Sequence, residues 1–283
     1  MAGGLVTKPI PNSGEAVPVI GMGTSRTFNV GSSPRLRDVR TAVLKTFLQM
    51  GGRLIDSSPM YGSSEAVIGY GLTKLGADAP KPFAATKVWT PSVSGGPEQM
   101  ADSERLWGGR TFDLMQVHNL VEWRGHLETL QRWKAEGRVR HLGITTSHGW
   151  RHEEFADVMT DPFAVPLLDT VQFTYNILDR EAEARLLPLA AERKLAVIAN
   201  RPFRRGQLFG HVAGKPLPGW AANIGCANWA QVMLKFIVSH PAVTCAIPAT
   251  TRVDHMAQNM GALTGPMPDA ALRRRMVADV ESL

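Results

Sequence analysis

LIDSSPMYG (54–62), FAATKVW (83–89) and LMQVHN (114–119) decide the reading of this chain. Each begins as a short apolar run of strand character and carries polar chemistry at or just after its C-terminal end. The first has Asp56 and then Tyr61, the second Lys87, the third His118. An acid, a phenol, an amine and an imidazole at successive strand ends imply both a fold and a reaction. Lysine is rarely buried unless paired, so Lys87 inside an apolar strand calls for the carboxylate of Asp56 on the neighbouring strand. Any one of the four alone reads as a loop anchor or a satisfied structural side chain. All four together at consecutive strand ends are hard to explain as packing.

Outward from these stretches, strand-like and helix-like segments alternate along the chain. Strands are read at 17–23, 53–58, 82–88, 112–118, 139–146, 167–176, 195–203 and 243–249. Apolar residues at helical spacing are read at 33–52, 63–76, 97–108, 123–137, 150–160, 180–194, 226–241 and 252–263, with Pro188 weakening the sixth helix. The strands are apolar on both faces, as in a parallel sheet covered by helices. Eight evenly spaced units in 283 residues, with no composition break, predict an α/β chain: a (β/α)8 TIM barrel forming one domain over 1–283. The competitor is an open doubly wound sheet. It lacks its usual dinucleotide turn here, because GMGT (21–24) is followed by Arg26 where GxGxxG needs a third glycine. The stretch LVTKPIPNSGEAVPVI (5–20) is read as a hairpin around Ser13-Gly14 that caps the barrel floor, and 268–282 as an extra C-terminal helix. The connection 204–224 is too long for a plain loop, which marks it as functional or mobile.

Composition narrows the function classes. Hydrophobic residues make up 44% and charged residues 20%, enough for a large core and too apolar for disorder. No run approaches the roughly 18 apolar residues of a membrane span. Cys226 and Cys245 are too few for a disulfide framework. The net charge of +6 is spread along the chain, without the basic-aromatic modules of nucleic-acid binders, and fits solubility or a basic mouth that attracts an anionic cofactor or substrate. MAGGLVTKPIP has no apolar signal core, so the chain as it stands is expected in the cytoplasm, with export after removal of a leader left open. Nothing in the sequence marks an oligomeric state. No cluster has metal-ligand spacing: His148 and His152 are four apart, yet no zincin glutamate accompanies them.

The residue types specify the chemistry. Tyrosine, with a pKa of about 10, is a weak acid that a nearby ammonium makes stronger. Asp56 would hold Lys87 charged, and His118 would hydrogen-bond a substrate oxygen. Such a site protonates an oxygen as negative charge develops on it, which is what carbonyl reduction by hydride needs. A Schiff base on Lys87, as in barrel lyases and isomerases, is the rival chemistry.

At these residues the chain resembles the aldo/keto reductase family, over nearly its whole length. LIDSSPMYGSSEAVIG is similar to the family's Asp-to-Tyr stretch, ATKVW to its lysine strand, FDLMQVHN to its histidine strand, and LGITTS and VQFTYN to its nicotinamide-contacting strands. The resemblance implies reversible reduction of a small-molecule aldehyde or ketone with NADP(H), NAD(H) remaining open. Tyr61 would donate the proton, Lys87 and Asp56 tune it, and His118 orient the carbonyl.

For the cofactor, the resemblance implies Gly23, Thr24, Asp56, Thr145, Thr146 and Gln172 around the nicotinamide. Two positions depart from the family: Thr146 stands where an asparagine is common, and Asn200 where an aromatic ring usually stacks on the nicotinamide. Arg201 or Phe203 is the candidate replacement for that ring. Without it, a cofactor-binding barrel with little turnover is the alternative function. Phe203, Arg204 and Leu208 are expected near the pyrophosphate, with Arg205 adding charge. Thr250, Thr251 and Arg252 are expected near a 2′-phosphate, and Gln258 and Asn259 near the adenine. Trp89 and Trp220 are the candidate substrate-pocket walls.

Overall fold

The computed structural model describes residues 4–283; Met1, Ala2 and Gly3, on which part of the leader reading rests, lie outside the described residues. The chain opens with β1 (Thr7–Pro9) and β2 (Ala16–Pro18), paired antiparallel with Lys8 opposite Val17. The hairpin read around Ser13-Gly14 is therefore present, and Gly14 takes the left-handed φ of 73° that its turn requires.

Eight parallel strands follow. They are β3 (Met22–Gly23), β4 (Leu54–Asp56), β5 (Phe83–Val88), β6 (Phe112–His118), β7 (Val139–Thr145), β8 (Thr170–Thr174), β9 (Ala196–Asn200) and β10 (Val243–Ala246), each hydrogen-bonded to the next in chain order. An Ile20–Ala246 bridge, with Gly21 N donating to Ala246 O at 2.8 Å and Gly23 N to Pro248 O at 3.0 Å, closes the last strand onto the first. The fold is a (β/α)8 barrel.

The helices between strands are α1 (Pro34–Gln49), α2 (Ser64–Leu75), α3 (Gly96–Leu106), α4 (Trp123–Ala135), α5 (His152–Thr160) and α6 (Leu186–Glu192). The connection after β9 holds α7 (Gln207–His211) and then α8 (Trp229–Val238); α9 (Val253–Met260) and α10 (Ala270–Glu281) close the chain. The sixth helix differs from its sequence reading. The helix expected over 180–194 is a 3-10 turn at Glu181–Glu183 followed by α6, with Pro188 in the first turn of α6, where its missing N–H costs nothing. The long connection carries its own short helices.

Strand parity organises the interior. A shell cluster between strands and helices takes Ile55, Ala84, Val88, Met115, Val117, Val197 and Ala199. A second cluster inside the barrel takes Leu54, Phe83, Ala85, Leu114, Ala196 and Ile198, and the hairpin residues Ile10 and Val17 join it. The hairpin thus closes the floor. Because side chains alternate with period two, one inward step beyond this floor layer places Asp56, Lys87, Gln116 and Asn200 in the next layer up. His118 lies one further step up β6. Gly143 in β7 admits this crowding, since a Cβ there would lie 2.2 Å from Thr170 Oγ1. Among the described residues no helix is long and apolar enough to cross a membrane.

Candidate active site

The polar layer is built around a buried ion pair. Lys87 is 0% exposed, and its Nζ donates to Asp56 Oδ2 at 2.7 Å and to Ser57 O at 2.6 Å. Asp56 Oδ1 accepts from Gln116 Nε2 (3.2 Å) and Gln172 Nε2 (2.9 Å). The other end of the Gln172 amide accepts from Thr145 Oγ1 at 2.7 Å. Burial lowers the Lys87 pKa, but the charge of Asp56 and the hydroxyl of Tyr61 more than reverse it, so the ammonium is held above its usual range. A buried, locked ammonium is a poor Schiff-base nucleophile, which counts against the lyase alternative.

Tyr61 lies in the loop after β4, with Lys87 Nζ 5.0 Å from its ring centroid and the His118 ring edge-on at 5.8 Å. Burial pushes the phenol above its ordinary value; the Lys87 charge pulls it down without cancelling that effect. Tyr61 therefore stays protonated at neutral pH, next to a cation placed to stabilise the phenolate.

His118 ends β6, and burial, with the charges of Lys87 and His148, pushes its pKa down to about 2. It is a neutral imidazole. Its Nδ1 lies 3.0 Å from Ser58 Oγ. Ser58 Oγ already accepts from Met60 N at 3.3 Å, so its single hydrogen is free to point at Nδ1. Donation from Ser58 to Nδ1 would leave the ring proton on Nε2, the other nitrogen. Ser58, which the sequence reading did not single out, is the hydrogen-bond partner of this ring.

The depressed His118 pKa has a stability consequence. Between about pH 6.5 and pH 2 the unfolded chain binds a proton at His118 that the native protein does not, so acid favours unfolding across that window. Chemical denaturation at pH 7.5 and pH 5 is expected to show a loss in the wild type that exceeds the loss in His118→Gln by about 2 kcal/mol. Parallel losses in the two proteins would refute the assignment.

A cavity of about 490 Å³ opens above this layer at the C-terminal ends of the strands. It brings together Asp56, Tyr61 and His118 with Gly23, Thr24, Thr145 and Gln172, while Asn200, Arg201 and Phe203 form another part of its wall. Asn200 stands where the stacking ring was expected, and both ends of its amide are occupied. Nδ2 donates to Thr146 O at 2.9 Å, and Oδ1 accepts from Thr174 Oγ1 at 2.8 Å. It braces β7 and β8. Thr146 is buried beside it.

Other expected residues fall elsewhere. Arg204 forms a fork onto Asp179, and Arg205 lines the cavity in its place. Leu208 is buried. Thr250, Thr251, Arg252, Gln258 and Asn259 cluster at and along α9, outside the cavity, with Arg252 Nη2 2.6 Å from Asp254 Oδ2. Trp220 is 5% exposed and donates from Nε1 to Asp279 Oδ2 at 2.7 Å, so it anchors α10 and is no pocket wall. Trp89 is 40% exposed and lies outside the cavity lining, its backbone hydrogen-bonded to the Gln99 side chain. Met60 and Phe209 join Phe203 in the apolar part of the wall; with Arg26 and His148, they were not singled out by the sequence reading. Among the described residues no group of three His, Cys, Asp or Glu side chains is placed to hold a metal ion.

The profile of the aldo/keto reductase family matches residues 19–274. The chain belongs to the aldo/keto reductase family. As a member it is an oxidoreductase, and its relatives agree with the barrel. Methylglyoxal reductase YeaE of Escherichia coli (strain K12) is 27% identical over 278 residues, covering 94% of this chain and 92% of that protein. Pyridoxine 4-dehydrogenase of the same organism is 27% identical over 256 residues, covering 81% and 82%. Among solved structures, an aldo-keto reductase from Klebsiella pneumoniae in complex with NADPH superposes with a TM-score of 0.79 at 21% identity, covering 99% of this chain and 96% of that one.

Proposed function

We propose that this aldo/keto reductase reduces aldehydes or ketones to alcohols with NADPH, acting as one barrel domain over residues 1–283. The observation that carries the reading is the Asp56–Lys87 pair placed behind a protonated Tyr61 and a neutral His118 at one cavity. A nicotinamide cofactor, when bound, supplies the hydride. His118 Nε2–H donates to the carbonyl oxygen and fixes its place. Tyr61 gives its proton to that oxygen as charge develops, and Lys87 stabilises the phenolate left behind.

The wall of the cavity fits such a cofactor. Among the described residues Arg26 and Arg205 line the cavity without an ion-pair partner, whereas Arg151, Arg204 and Arg252 each hold a carboxylate. Asn119 Oδ1, also at the cavity, is a buried acceptor with no donor. Unneutralised cations suit phosphates, and a free acceptor suits a carboxamide. Gly23, Thr24, Thr145 and Gln172 would lie around the nicotinamide, Arg26 and Arg205 beside the diphosphate, and Thr250, Thr251 and Arg252 beside the 2′-phosphate.

The direct test is NADPH oxidation, followed by absorbance, with methylglyoxal and a panel of aldehydes and ketones. Methylglyoxal is included because the Escherichia coli relative is named for reducing it. Tight NADPH binding with no turnover of any carbonyl would instead favour the cofactor-binding alternative.

Ser58→Ala frees the His118 tautomer and is expected to lower kcat about three- to tenfold, the worth of one ordinary hydrogen bond; an unchanged kcat would leave Ser58 without a role. Asp254 competes for Arg252. Asp254→Asn is therefore expected to tighten NADPH but not NADH, and Arg252→Ala to weaken NADPH about tenfold in fluorescence titrations. Equal effects on both cofactors would remove Arg252 from the 2′-phosphate site.

A further inference from the structure

Arg201 leaves the end of β9 with a φ of 51°, the left-handed region that few non-glycine residues occupy. Asn176 Nδ2 pins its carbonyl oxygen at 3.1 Å, and its guanidinium donates to Ser147 Oγ, in the loop after β7, at 2.8 Å. The side chain therefore crosses over the C-terminal end of β8, towards the side of the mouth formed by His118, Asn119 and His148. Backbone strain held in place at a cavity is a mark of function.

Among the described residues no carboxylate forms an ion pair with Arg201. Asp179, the nearby carboxylate, is taken by the Arg204 fork. Asp56 is committed to Lys87 and two amides. Arg26 and Arg205 crowd Arg201 with like charge, and Tyr61 is close enough for its ionisation to be felt at the guanidinium. A half-buried cation thus faces the proton donor across a cavity to whose wall Met60, Phe203 and Phe209 add apolar surface.

We propose that Arg201 is a specificity-determining residue that binds a carboxylate on the carbonyl substrate, so that this enzyme prefers aldehydes or ketones bearing a carboxylate separated from the carbonyl by an apolar body. This rests on the carbonyl-reductase reading above. The planar guanidinium fork matches a carboxylate with two parallel hydrogen bonds. Ser147 orients the fork from one edge, His118 and Tyr61 take the carbonyl at the opposite end of the substrate, and the apolar walls accept what lies between. Arg26 and Arg205, in the loops after β3 and β9, remain for the cofactor.

The experiment compares 4-carboxybenzaldehyde with 4-nitrobenzaldehyde, of similar shape and both activated, in the wild type, Arg201→Met and Arg201→Lys. The wild type is expected to favour the carboxylate in kcat/KM, through a lower KM. In Arg201→Met the ratio of the two kcat/KM values is expected to fall tenfold or more, with partial recovery in Arg201→Lys, while the NADPH Kd stays within about twofold. A weakened NADPH Kd with an unchanged substrate ratio would overturn the proposal and make Arg201 a platform for the nicotinamide. Equal losses on both aldehydes would overturn it as well. If the wild type reduces neither aldehyde, the reductase reading fails separately. The Arg201 site is then read from calorimetric binding of 4-carboxybenzaldehyde to the NADPH-loaded protein: binding lost in Arg201→Met supports the proposal, and binding unchanged overturns it.

Discussion

Tyr61→Phe is expected to lower kcat by about 10³-fold or more while leaving the fold and the NADPH Kd nearly unchanged, because the substitution deletes one hydroxyl and nothing that holds the loop. General acid catalysis by a positioned side chain is worth about 10² to 10⁴ in rate. Here no second acid stands ready. His118 is neutral, with its pKa pushed down to about 2, so it donates a hydrogen bond without carrying a transferable charge. Lys87 is locked onto Asp56 Oδ2 and Ser57 O and is 0% exposed. The ring of Tyr61 contributes its contacts with His118 and Lys87 through its faces and edge, which phenylalanine keeps. The checks are NADPH oxidation for rate, fluorescence titration for cofactor affinity and thermal unfolding for the fold. A Tyr61→Phe protein that turns over at the wild-type rate would remove Tyr61 from the mechanism.

The part of this site legible in the sequence is the part governed by period two. Leu54 to Asp56, Ala85 to Lys87, Leu114 to Gln116 to His118 and Ile198 to Asn200 are inward steps along regular strands. A polar residue one step beyond an apolar floor residue is therefore addressed to the barrel interior by the strand period alone. What escaped belongs to loops, where no period applies. RPFRRG gives no sign that Arg204 turns to Asp179 while Arg205 lines the cavity, because three left-handed residues, Arg201, Arg204 and Arg205, redirect the backbone. Trp220 was read as a pocket wall from its place in the long connection. Its partner, Asp279, lies on α10, 59 residues away, and only the tertiary fold brings them together. Ser58 lies within LIDSSPMYG, yet its hydrogen bond depends on the orientation of a ring on another strand.

The Asp56–Lys87 pair carries the second large effect, because its two halves are not equivalent. Asp56→Ala leaves an ammonium sealed in the barrel with the neutral Ser57 carbonyl and Tyr61 hydroxyl beside it. Removing one partner of a buried ion pair costs about 3–5 kcal/mol, which corresponds to a fall in Tm of roughly 6–20 °C for a chain of this size. Lys87→Met is gentler on the fold. Its aliphatic stem is replaced by one of similar bulk, and Asp56 Oδ1 keeps the amides of Gln116 and Gln172. Its cost falls on catalysis instead. Burial and the remaining Asp56 charge then both oppose the phenolate with no cation to offset them, so proton donation by Tyr61 becomes harder and kcat is expected to fall at least about 10²-fold. The double variant Asp56→Ala/Lys87→Met removes both charges. It is expected to recover most of the stability lost in Asp56→Ala while staying as slow as Lys87→Met, a coupling that a double-mutant cycle measures directly. A double variant as unstable as Asp56→Ala alone would mean that Asp56 supports the barrel through its amide contacts with Gln116 and Gln172, and not by neutralising Lys87.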